Sequence, residues 1–134
     1  MGKDQERIDS GLLHKGPLRI TCDSNGLWSE DGSTSLGTTS TSGIYQMKPG
    51  DTVIIAINGN GDGAGILVLP SLQEACGKFY SVSAPTASTG DDVIVYEKET
   101  GAVLATYGDL DTDLDHAIYF SDGANWRTVL DGVA

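Results

Sequence analysis

Basic residues are scarce in this 134-residue chain. Eight Lys and Arg stand against 19 Asp and Glu, for a formal net charge of −11. Nucleic-acid binders displace phosphate counterions with clustered Lys and Arg, and this sequence has no such cluster. An anionic membrane surface is disfavoured on the same ground. No run of about 18 apolar residues occurs, so no membrane-spanning helix is expected. Residues 1–7 are charged and lead into no apolar stretch, so a secretory leader is not expected either. Cysteine is limited to Cys22 and Cys76, too few for a disulfide framework and without metal-ligand spacing. They read as two small side chains, with one bridge open if their α-carbons fold within about 4.4–6.8 Å. Histidine is limited to His14 and His116.

Glycine, by contrast, is abundant at 18 residues, roughly twice its usual share of ~7%, and it is not periodic. Between the glycines lie short runs rich in β-branched and aromatic residues. Strands are predicted at residues 18–22, 44–47, 52–57, 65–69, 78–83, 92–97, 103–107, 116–120 and 125–130. Residues 29–43 are mostly Ser, Thr and Gly and read as a long loop or low-contact meander. The run Thr52-Val53-Ile54-Ile55-Ala56-Ile57 is apolar at every position but the first, as in a central strand buried on both faces. It should pair with residues 66–69 in an antiparallel hairpin around the turn at residues 58–63. Ser71-Leu72-Gln73-Glu74-Ala75-Cys76-Gly77 reads as a capped single turn. Strands of about five residues with turns every 8–12 residues indicate an all-β fold, a compact antiparallel sandwich or barrel.

The first residues stand apart. Residues 1–20 hold Lys3, Arg7, Lys15 and Arg19 against Asp4, Glu6 and Asp9, a net +1, while residues 21–134 carry −12. Residues 1–17 have too few apolar positions to fold alone. They read as an extended N-terminal anchoring arm on a single β domain at residues 18–134. Ile8, Leu12, Leu13 and Leu18 are the apolar positions that could dock on a partner.

Motifs for chemistry are thin. Gly59-Asn60-Gly61-Asp62-Gly63-Ala64 matches a dinucleotide-loop pattern, but it leads into a strand rather than a helix, so a turn is the better reading. Four carboxylates alternate from Asp109 to Asp115, as at the start of a calcium loop. The Gly and Glu such a loop needs are replaced by Leu114 and Phe120, so a solvated acidic loop is expected and no metal site is assigned. No nucleophile–base arrangement assembles in the sequence, so neither an enzyme nor a cofactor is expected. The nine aromatic residues lie mostly in strands, where core and subunit contact is the expected use and an exposed carbohydrate-binding face the alternative.

Two stretches carry a resemblance. Val68-Leu69-Pro70-Ser71-Leu72-Gln73-Glu74-Ala75-Cys76-Gly77-Lys78-Phe79-Tyr80 runs strand, Leu-Pro, turn, Gly-Lys, strand. Ala117-Ile118-Tyr119-Phe120-Ser121-Asp122-Gly123-Ala124-Asn125-Trp126 delivers a Trp from a tight turn. This layout, over about residues 66–130, resembles modules of tailed-bacteriophage virion proteins: head-decoration proteins, head fibres and tail-fibre tips. A long repetitive shaft is missing here, which favours the decoration type. The resemblance implies a homotrimer without catalysis or cofactor. The expected partner is the major capsid protein and the expected location the outer capsid surface of the virion. The competing expectation is a receptor- or carbohydrate-binding tip, with Trp28 and Trp126 as its platforms.

Overall fold

The structure is a computed structural model that describes residues 17–23, 26–30, 34–35, 40–41, 43–58, 65–84, 92–107 and 115–131. Among these residues there are twelve strands and no helix. They are β1 (Leu18–Cys22), β2 (Trp28–Glu30), β3 (Thr34–Ser35), β4 (Ser40–Thr41), β5 (Ile44–Gln46) and β6 (Val53–Asn58). Then follow β7 (Gly65–Val68), β8 (Phe79–Ala84), β9 (Val93–Tyr96), β10 (Val103–Tyr107), β11 (Asp115–Ser121) and β12 (Trp126–Asp131). The all-β expectation holds, and nearly every predicted strand is present within one or two residues. Residues 29–43, read as a long loop or low-contact meander, contain β3, β4 and most of β2, all short paired strands. The proposed arm, residues 1–16 with Ile8, Leu12 and Leu13, lies outside the described residues, as do residues 59–64 and 108–114.

The strands form two sheets, neither closed into a barrel. One has seven strands in the order β12-β11-β8-β6-β1-β2-β3, the other five in the order β10-β9-β7-β5-β4. Two expectations fail here. The sheets are mixed, not antiparallel, because β1/β6, β6/β8, β5/β7 and β7/β9 pair in parallel. The hairpin of residues 52–57 with 66–69 also does not form, because β6 lies in the seven-stranded sheet and β7 in the five-stranded one. From β5 to β9 every connection crosses to the opposite sheet. A strand that returns after two reversals runs parallel to its predecessor, so a strand of the other sheet serves as the crossover that parallel pairing needs. A local turn signal looks the same whether the chain folds back beside itself or across a core.

Alternate residues of β1, β2 and β5 to β9, and of β11, face one shared core. Ile20, Cys22, Trp28, Ile54, Ala56, Tyr80, Val82, Ala117 and Tyr119 come from the larger sheet, and Tyr45, Leu67, Val93 and Val95 from the smaller. Trp28 is fully buried. Its indole Nε1 donates to the Gly43 carbonyl at 2.8 Å, which also accepts from the Ile66 amide. The ring lies so close to Gly65 that a β-carbon there would stand 2.5 Å from Trp28 Cζ2. Beside it, the buried Asn58 donates from Nδ2 to the Asp92 carbonyl at 2.8 Å, and the Gly65 amide donates to the same oxygen. At the β5–β6 connection the Tyr45 hydroxyl donates to Asp51 Oδ2 at 2.6 Å and the Tyr80 hydroxyl to the Pro49 carbonyl at 2.7 Å. Each end of the core is therefore tied across the sheets by a buried side chain with its polar atom satisfied, as burial requires.

Trp28→Ala should cost about 3–5 kcal/mol in chemical denaturation, the range for emptying a large aromatic site. Gly65→Ala should destabilise by overpacking, about 1–3 kcal/mol. That cost should shrink in a Trp28→Phe background, where the atom it strikes is gone. Equal Gly65→Ala costs in both backgrounds would show that the contact does not matter.

Candidate interaction surface

The two motif stretches, far apart in sequence, meet in one clasp. Ser71 caps its turn: its hydroxyl accepts from the Glu74 amide at 3.2 Å and donates to Glu74 Oε1 at 3.1 Å. The Ser121 hydroxyl, fully buried, donates to the Leu72 carbonyl at 2.8 Å, and the Gly77 amide donates to the Ser121 carbonyl at 2.8 Å. Asp122 folds the β11–β12 turn by accepting from the Ala124 and Asn125 amides at 2.8 and 2.7 Å and from Arg127 Nε at 2.8 Å. These amides, first Ala124 and then Asn125, and after them Arg127, lower the Asp122 carboxyl to about 2. Gly123 has φ +92, and a β-carbon there would stand 2.9 Å from Cys76 Sγ, so glycine is required twice over. The stretches that carried the resemblance thus hold the β7–β8 crossover onto the β11–β12 hairpin.

The residues singled out for chemistry do not converge. No group of three or more His, Cys, Asp or Glu able to hold a metal exists among the described residues. Residues 109–114 lie outside them, and Asp115 opens β11. Cys22 is buried and Cys76 exposed, and both are free, so the possible bridge is not made. Burial, with the Asp23 charge second, pushes the Cys22 thiol up to about 11 and keeps it protonated. Trp28 is core rather than a surface platform. Trp126 is half-buried, edge-on to Tyr80 with ring centroids 5.7 Å apart. Leu18 opens β1 and packs half-buried against the core, so only part of it remains for a partner.

What the sequence reading missed is the outer surface of both sheets. On the seven-stranded sheet the outward positions of β6 are Val53, Ile55 and Ile57. Register places Phe79 beside Phe120 and Ser81 beside Ile118 and Val53. The Phe79 and Phe120 rings are 4.7 Å apart, and Phe79 is 56% exposed. The charged or titratable residues at outward positions here are Arg19, aligned with Ile55, His116, aligned with Ser83, and Arg127, aligned with Phe120. On the five-stranded sheet, Ile44, Ile66 and Ile94 align across three parallel strands, and Val68, Tyr96 and Val103 align beside them. Ile44 and Val103 are exposed and the other four half-buried. None of the residues in this sheet's five strands is Asp, Glu, Lys, Arg or His.

An uncharged, largely apolar face is unusual on a body with this excess of acids, and contiguous exposed apolar patches mark contact sites. Fully burying a side chain of the Val, Ile or Phe class contributes about 1.5–3 kcal/mol. Several half-exposed ones are needed to exceed an association cost of about 4–15 kcal/mol, which only a whole face supplies. The signal was in the sequence: β6, β7 and β9 are apolar at both alternating sets of positions. Comparison with known proteins finds no matching family model, no similar curated protein and no similar solved structure.

The clasp gives a pH prediction. A carboxyl whose folded pKa is depressed stabilises the fold above its ordinary pKa and loses that contribution as pH falls towards the folded value. The Asp122 group should therefore act fully above about pH 4 and fade towards about pH 2. Urea midpoints of the wild type and Asp122→Ala should differ at neutral pH and converge across that window. A gap that stays constant down to pH 2 would mean the carboxylate bonds are not what stabilises the turn.

Proposed function

We propose that this chain is a structural binding protein of a bacteriophage virion. In this reading it is a capsid decoration or cement protein that sits as a homotrimer on the outer surface of the major capsid protein shell and stabilises it. The two sheets form the two layers of a sandwich body. Residues 1–17 form the arm that anchors it through Ile8, Leu12 and Leu13, with the exposed part of Leu18 at the junction. The observation that carries the binding reading is the uncharged, largely apolar outer face of the five-stranded sheet, with the exposed Phe79 and its neighbour Phe120 on the other sheet, on a strongly acidic body. Such a body resists random association through its charge and meets partners only where charge is absent. The virion part is supported by the resemblance, whose two stretches come together in a single clasp. Full burial of Trp28 weighs against the glycan-binding alternative, which would have to rest on the exposed Phe79 and its neighbour Phe120.

The test is co-sedimentation with capsids of the tailed phage that encodes the chain. The wild type should bind at saturating occupancy and raise the temperature at which the shell ruptures. A variant with Ile8, Leu12 and Leu13 all replaced by Asp should keep its β circular-dichroism spectrum and lose binding. Full occupancy by that variant would remove the arm as anchor. Absence of the wild type from capsids, with binding on a glycan array that Phe79→Ala abolishes, would favour the alternative.

A further inference from the structure

We propose that the outer face of the five-stranded sheet is where copies of this chain meet one another. This deepens the trimer reading above by assigning its contact surface, and it rests on that reading only for the number of copies.

The argument starts from charge. Every copy carries −11, so two copies repel wherever their acids approach. A stable contact between identical chains must fall where acids are absent. The five-stranded sheet is such a place, since its strands contain no ionisable acid or base along their whole length apart from tyrosine. The seven-stranded sheet suits a second copy less well. Its outward positions include Arg19 and Arg127, the latter bonded to Asp122, and packing that face on its own copy would desolvate two guanidinium groups and a carboxylate. An apolar shell surface bordered by acids would match it better than a second copy would.

Shape points the same way. Ile44, Ile66 and Ile94 stand in one line across neighbouring parallel strands, and Val68, Tyr96 and Val103 in the next. The first row is all isoleucine and the second, which also takes in Gln46, is mostly apolar, so rows about 4.8 Å apart give a ridged surface for a neighbouring copy to pack on. The edge strand β10 extends this surface. It has neither charge nor proline, the usual guards against pairing with another chain. Size sets the kind of assembly. Five strands of about four residues span roughly 20 by 13 Å, well under the ~800 Å² per partner of a standard pairwise interface. The face alone is too small for an isolated dimer, and a closed ring offsets part of that shortfall because each copy then makes two contacts instead of one.

Sedimentation velocity on the purified full chain, without capsids, reads the contact directly. The wild type should run as a trimer at both low and high salt, because no ion pair holds the contact and salt screens the repulsion between bodies. Ile66→Asp and Ile94→Asp should run as monomers. Ile55→Asp, on the other sheet, should stay trimeric. Val103→Lys, at an exposed edge position, should also dissociate the assembly and covers the case in which the half-buried isoleucine variants misfold by circular dichroism. A monomeric wild type would overturn the proposal. So would trimers that survive Val103→Lys together with a folded Ile66→Asp or Ile94→Asp, or dissociation caused by Ile55→Asp alone. Because capsids are absent, failure here leaves capsid binding intact, and failure of capsid binding leaves this contact intact.

Discussion

The fold depends on how Trp28 crosses the core. The ring belongs to β2 in one sheet, yet its polar atom is satisfied by the backbone just before β5, and its six-membered ring lies on the backbone of β7 in the other. An unsatisfied indole N–H would be costly at full burial, so the carbonyl of Gly43 has to be where it is. Gly65 has to lack a side chain for the same ring to fit. Asn58 repeats the device one strand over, donating across to the backbone before β9. With that end fixed in this way, the chain from β5 to β9 has its sheets already spaced.

This spacing explains the mixed topology. A chain confined to one sheet reverses at each turn and pairs antiparallel. Here β5 to β9 alternate between the two sheets, so strands two apart in sequence become parallel neighbours. The clasp between the Ser71 turn and the Asp122 turn holds the longest of these crossings against the terminal hairpin. The stretches with the most recognisable residues are structural, and their conformations are set by two glycines, Gly77 and Gly123, at positive φ.

With strongly apolar residues at both alternating positions of β6, β7 and β9, each sheet is two-sided. One side fills the core and the other faces outward. Among the described residues most acids lie outside strands, Asp23, Asp51, Asp92, Glu97 and Asp122 among them, while Glu30, Asp115 and Asp131 sit in strands of the seven-stranded sheet. The proposed function by contact draws on this separation, because most of the charge and the apolar outer surface occupy different parts of the molecule.

The sequence by itself determined the all-β class, the position of nine of the twelve strands, the capped turn at Ser71 and the contrast in charge between residues 1–20 and the rest. Periodicity, turn chemistry and charge are local, and each is read from a few neighbouring residues. The two-sided apolar pattern of β6 was also legible, though its meaning was not. Only the tertiary structure decided that β6 and β7 part company, that the sheets are mixed, that Trp28 is core while Phe79 is surface, and that one sheet is free of charge. These depend on which strands share a sheet, which is settled by contacts such as Trp28 on Gly65 between residues remote in sequence, and no local pattern specifies those partners.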